Sequence, residues 1–236
     1  MRHLLVSLLV AALLAAAGTR AADRPVVVEL FTSQGCPSCP PADRFLQDLA
    51  AREDVLALSL HVDYWDYIGW EDSLASPANT ARQRGYAQAG GRKMVYTPQI
   101  IVNGTDPVVG TRFEEVTALI DRHAAAPSEG IALGLRREAA ALHVTAQATT
   151  PRDRPLVVQL ARYLPEATVT IAHGENAGRT ITYVNVVTAL VELAEWDTRS
   201  PLDLRIPWPE DARDAPAAVL LQYPGFGAIA AAARLR

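Results

Sequence analysis

The sequence predicts an α/β domain followed by an all-β, sandwich-like domain. Two observations carry that reading. From Pro25 to about residue 125, apolar strand patterns alternate with amphipathic helical ones. After a linker-like stretch at 124–130, the hydrophobic period drops from 3.6 to 2. The composition supports a packed chain: 236 residues, 50% apolar and 20% charged, with 14 glycines and 16 prolines. The expected domains are 25–125 and 130–236.

Residues 1–21 read as a secretory signal peptide. Arg2 and His3 form a basic start, residues 4–17 are an uncharged apolar stretch, and Thr19-Arg20-Ala21 offers a small-x-small cleavage site. That stretch is shorter than the roughly 18 to 20 residues a bilayer span needs, and no cysteine follows it to carry a lipid. The expectation is a periplasmic or secreted protein with no stable membrane anchor after cleavage. Removing Arg2 and Arg20 leaves 20 basic against 26 acidic residues, a net charge of −6. So acidic a chain is not expected to bind nucleic acid.

Each element has its own signal. Residues 26–32 are β-branched and almost wholly apolar, as in a central strand covered on both faces. Residues 42–52 form a helix with Phe45, Leu46 and Leu49 on one stripe, and 55–62 a second strand, giving a right-handed βαβ unit. Ser76-Pro77 caps and opens a helix that stops at Gly90-Gly91. Strands at 99–102 and 107–109 flank Asn103-Gly104, a hairpin signal with a loop longer than two residues. Thr111 and Glu114 form a capping box for a helix to about 123, with Phe113, Val116, Leu119 and Ile120 on its buried side. Beyond the linker, short strands at 133–136, 142–145, 156–160, 168–171, 181–184 and 218–222 predict a sandwich of about 100 residues.

Cys36 and Cys39 are the only cysteines. That excludes a disulfide scaffold and a four-thiolate metal site, leaving a redox pair, half of a metal site or an accident of spacing. Their place is informative: they follow a buried strand and precede a helix, the edge of an α/β sheet where reactive groups gather. A helix N-terminus stabilises a thiolate, so Cys36 is the expected nucleophile and Cys39 the resolving thiol. Pro40-Pro41 pushes the helix start to about Pro40 and leaves the cysteines in a turn.

Three further features bear on chemistry. Glu29, an acid inside an apolar strand, must be protonated, hydrogen-bonded or paired with an arginine. Residues 61–70 hold four aromatics, among them Tyr64 and Trp65, that form either an apolar platform for substrate or a plug between the domains. His61 is a proton donor, a third metal ligand or a hydrogen-bonded structural residue. No Gly-x-Ser-x-Gly elbow, phosphate loop or His-Glu-x-x-His motif is present, so hydrolase, nucleotide and zincin readings lack support.

The order strand, Cys-Pro-Ser-Cys, helix, strand, helix, Thr-Pro, strand, Asn-Gly, strand, Gly110, helix resembles the thioredoxin superfamily over residues 25–125. That resemblance implies a cis bond before Pro98 facing the disulfide, and backbone pairing of Thr97 with substrate. It also implies a buried acid that relays the resolving cysteine's proton, with Glu29 as candidate although it lies seven residues before Cys36. More narrowly, VELFTSQGCPSCPPAD (28–43), HVDYWDYIGW (61–70), YTPQIIVNG (96–104) and GENAGRTITYVNVV (174–187) resemble a family of secreted bacterial proteins of unknown function, with a thioredoxin-like domain ahead of a β-rich one. His173, Gly174, Glu175, Asn176 and Asn185 belong to that pattern, or build a tight turn with Gly178.

The expected function is an exported thiol–disulfide oxidoreductase. Cys36, Cys39 and Glu29 are its catalytic residues, and Thr97, Pro98, Trp65 and Tyr64 hold the substrate. Its partners are protein or small-molecule thiol or disulfide substrates and a redox partner, with no cofactor and no metal. Two alternatives stand beside it: a thiolate copper-handling module using His61 as third ligand, and a non-catalytic interaction protein in which the cysteine pair is a staple. A sulfur pair buried under the β-rich half favours the last.

Overall fold

The computed structural model describes residues 24–138, 140–209 and 215–235; the leader expected at 1–21 lies outside them. The first half begins with β1 (Val26–Thr32), buried along its whole length as its apolar run requires. Then come α1 (Pro40–Ala50) and β2 (Val55–His61), which pairs parallel to β1 from Val26↔Val55 to Thr32↔His61. A 3-10 turn at Asp66–Ile68 leads into α2 (Pro77–Ala89), where Ser76 Oγ accepts from the Ala78 amide and Pro77 opens the helix. β3 (Gln99–Val102) runs antiparallel to β1, and β4 (Asp106–Val109) antiparallel to β3. The turn between them needs left-handed backbone at Asn103 and Gly104, with φ of 49° and 77°. α3 (Phe113–Ala125) begins without the expected capping box. Arg112 is its N-cap and makes no side-chain cap bond, because a guanidinium has only donors and cannot accept from the first-turn amides.

The second half consists of strands: β5 (Ile131–Arg137), β6 (Ala141–Ala148), β7 (Leu156–Thr170), β8 (Thr180–Trp196), β9 (Leu202–Pro207), β10 (Ala217–Gln222) and β11 (Ile229–Arg234). The segments expected as separate strands at 156–160 and 168–171 are one strand, and 181–184 is part of another. β9 and β11 were not anticipated. β8 runs parallel to β2, meeting it at Ser59↔Val186, so β11-β10-β7-β8-β2-β1-β3-β4 is one mixed sheet that passes through both halves. β5-β6-β9 is a second, antiparallel sheet. The architecture is therefore mixed α/β with a large mixed sheet, in place of an α/β sheet that ends before the β-rich half begins. The free outer edge of β2 explains it, since an unpaired buried edge must find backbone partners and β8 supplies them.

The period of two sorts the β1 and β2 side chains onto two faces. Val26, Val28, Leu30, Val55 and Ala57 pack under α1 and α3 with Ala42, Leu46, Leu49, Val116 and Ile120. Val27, Phe31, Leu56, Leu58 and Leu60 face the other way, against Tyr86 of α2 and Ala161, Tyr163, Val187, Ala218 and Leu220 of the second half. A third cluster joins β5, β6 and β9 to β7, β10 and β11.

Candidate functional site

Cys36 and Cys39 lie in the turn between β1 and α1 and are joined as a disulfide. Cys39 is the N-cap of α1, its carbonyl accepting the Ala42 and Asp43 amides at 2.8 and 3.0 Å. Both cysteines are 0% exposed, although Pro37 and Ser38 between them are at the surface. Two flaps enclose them. One is the aromatic loop after β2: a side chain at Gly35 would press on Trp65 Cβ and Ile68, and Trp70 Nε1 donates to Gln34 Oε1 at 2.8 Å. The other is the tip of the β7–β8 hairpin. Asn176, itself buried, donates from Nδ2 to the carbonyls of Gln34 and Cys36 at 2.9 and 2.8 Å.

Beneath the disulfide is a buried polar cluster. Asp43 is four residues beyond Cys39, on the same side of α1. Its Oδ1 accepts from Thr32 Oγ1 at 2.7 Å, while Oδ2 has no protein partner. Burial pushes its carboxyl up to about 7, against the opposing pull of the Thr32 bond. Thr32 sits beside His61 in the β1–β2 register. His61 Nδ1 lies 2.8 Å from Asp72 Oδ2, which also accepts the Gln34 amide at 2.8 Å. Burial works to raise the Asp72 carboxyl, but these bonds and the Leu74 amide outweigh it and hold the group below its ordinary value. Tyr183 of β8 packs edge-on to His61 with ring centroids 4.5 Å apart. Burial, then the Asp43 and Asp72 charges, raise its phenol far above the usual range.

The expected site residues fall into two groups. Thr97-Pro98 is a cis bond, and a side chain added at Gly110 would lie 3.0 Å from Pro98 Cβ and 3.2 Å from Ala42 Cβ. Pro98 thus stands beside the first turn of α1. Trp65 Nε1 donates to Thr97 Oγ1 at 2.7 Å, tying the aromatic loop to the same place. Tyr64 is set back, its hydroxyl donating to Gln83 Oε1 at 3.1 Å. Glu29 projects from the opposite face of β1, away from α1. Arg82 grips it at 2.6 and 3.2 Å and the Tyr86 hydroxyl donates to it at 2.6 Å, so it is the arginine-paired acid of the two readings weighed. Asp43, Asp72, Tyr183 and Asn176 were not singled out as site residues. An acid in a helix's first turn is ordinary sequence, and only its i+4 spacing from Cys39 marked Asp43. Among the described residues no group of three or more His, Cys, Asp or Glu could hold a metal ion, and His61 is engaged by Asp72.

Fold and site together define a mixed α/β protein with a Cys-x-x-Cys disulfide at the exit of a central strand. The chain belongs to the family described as a protein of unknown function (DUF1223), whose model matches residues 27–222. It is similar to the crystal structure of a protein from Agrobacterium tumefaciens, at 35% identity and a TM-score of 0.76, over 91% of this chain and 94% of that one. No curated protein matches it.

Proposed function

We propose that this protein is an exported, thioredoxin-like thiol–disulfide oxidoreductase acting through Cys36 and Cys39. The observation that carries the reading is Asp43, a buried carboxyl one helical turn beyond Cys39. Raising it from 3.8 to about 7 costs about 4 kcal/mol of stability at neutral pH and above. The disulfide closes so short a loop that its stabilisation through the unfolded chain is only about 2 kcal/mol. A staple gives this buried acid nothing to do; a redox centre does, because Cys39 has no contact with solvent and needs a proton acceptor at hand. The strand order β2-β1-β3-β4, with β1 and β2 parallel and the rest antiparallel, and the place of Pro98 beside α1, support the fold part of this reading.

In this mechanism Cys36 forms the mixed disulfide, Cys39 resolves it, and Asp43 takes the role expected of Glu29. Thr97 and Pro98 flank the entering chain and Trp65 holds Thr97. The substrate is a protein or small-molecule thiol or disulfide met outside the cytoplasm. The test is equilibration of the folded protein with graded ratios of a reduced and oxidised dithiol, with thiols counted at each ratio. Reversible titration without unfolding is expected, no exchange with Cys36→Ser, and a trapped mixed disulfide with Cys39→Ser. The complete burial of both sulfurs favours the staple as second reading; it predicts that the bond is reduced only when the protein unfolds.

A further inference from the structure

Besides Asn176 Oδ1 in the hairpin tip, four buried polar atoms near the disulfide have no protein partner: Asp43 Oδ2, His61 Nε2, Tyr183 Oη and Ser59 Oγ. Folded proteins rarely leave one such atom unpaired, and a group of them calls for a bound water or a chemical role. They converge. Thr32, which holds Asp43, adjoins His61 across two strands, and Ser59 precedes His61 by two residues on the same face. Tyr183 stacks its edge on the His61 ring. Asp72 Oδ2 is an acceptor already taking the Gln34 amide, so the ring proton on Nδ1 points to it. The Nε2 lone pair is left for the cluster.

We propose that His61, oriented by Asp72, is a positioning residue that carries the Cys39 proton away from Asp43 through one internal water. The water's protein partners are Asp43 Oδ2, His61 Nε2 and Tyr183 Oη. This inference rests on the oxidoreductase reading above. The groups facing His61 are Thr32 from β1, Asp43 from α1, Asp72 with Asp66 behind it from the loop, Tyr183 from β8 and the uncharged Asn79 from α2. The step balances as follows. The Cys36 thiolate attacks a substrate disulfide, expelling one substrate thiolate and forming a mixed disulfide. Asp43 takes the Cys39 proton and releases one through the water to His61 Nε2, and Asp72 balances the imidazolium. The Cys39 thiolate then attacks Cys36 Sγ, the Cys36–Cys39 bond forms, and the second substrate thiolate leaves. The dithiol is oxidised by two electrons, the substrate is reduced by two, and His61 returns its proton to the solvent.

The experiment mixes fully reduced protein with a small aromatic disulfide whose released thiolate absorbs visible light. The first release reports attack by Cys36, the second resolution by Cys39. His61→Asn keeps a donor for Asp72 but no ring nitrogen to accept the proton. It should slow only the second release, about tenfold below pH 8, and flatten its pH profile. Tyr183→Phe removes one unpartnered hydroxyl, should slow the same phase about threefold, and decides the matter if His61→Asn fails to fold. Wild-type second-phase rates and pH profile in the variants overturn the relay while leaving the oxidoreductase reading intact. No release from the reduced wild type in either phase overturns both.

Discussion

Asp43 and Glu29 show how little a residue type says without its surroundings. Glu29 is conspicuous in the sequence because its neighbours are apolar, yet the period of two sends it to the face where Arg82 waits. Asp43 is inconspicuous, because acids in a first helical turn ordinarily face water and the helix dipole. Here they differ in consequence. A carboxyl whose folded pKa is raised lends stability that is fully present below about pH 3.8 and is lost as the pH rises through about 7. Asp43→Asn mimics the protonated acid. Its stability advantage over the wild type should therefore grow by roughly 2 to 3 kcal/mol between pH 5 and pH 8 in urea unfolding, and an advantage that does not change with pH would refute the buried-acid assignment. Arg82 is the opposite case. Burial works to lower its pKa, but the Glu29 charge beside it prevails and raises it. Arg82→Met strands the Glu29 charge and should cost about 3 to 5 kcal/mol, measured by the same unfolding, while Glu29→Gln leaves the exchange rate of the disulfide unchanged.

At the scale of elements, the first half was legible because each turn carries its own chemistry: Ser76-Pro77, Gly90-Gly91 and Asn103-Gly104 each ended or opened an element where expected. The long hairpin was not. β7 continues through Pro165, which sits past Arg162, where pairing with β10 ends, and which has no partner of its own between Leu164↔Val186 and Glu166↔Val184 of the β8 ladder. β11 is largely alanine, a residue with no strand preference, and owes its conformation to its place beside β10. The length of β7 and β8 has a functional side, for it carries Asn176 from the second half onto the cysteine loop of the first. Two hydrogen bonds of about 1 kcal/mol each hold that tip closed. Asn176→Ala should make the disulfide roughly 10- to 30-fold more reactive toward a water-soluble phosphine in the folded protein. An unchanged rate would mean that the tip does not gate the sulfurs.

Across the whole molecule the two halves share what each would need to stand alone. The Glu29–Arg82 pair is completed by Gln222 Oε1, 3.2 Å from the guanidinium, and by Gln159 Oε1 at 3.5 Å, both from the second half. A side chain at Gly85 of α2 would collide with Phe226 beyond β10, and Arg234 donates to the Val55 and Glu53 carbonyls at 2.9 and 2.8 Å. The change of hydrophobic period near residue 130 is genuine, but a period reports only which faces are covered, not which strand lies beside which. Cutting at that point would expose Val27, Phe31, Leu56, Leu58 and Leu60 and leave the Glu29–Arg82 pair half solvated. We therefore expect residues 24–127 expressed alone to show no cooperative thermal transition, and the intact chain to unfold in one, with fluorescence and circular dichroism superimposing. A fragment that melts cooperatively would mean that α1, α2 and α3 suffice for a core. The site would then belong to the first half, with the hairpin an accessory to it. A single shared transition would instead mean that the cysteine loop, its buried acid and its cover are stabilised as one unit.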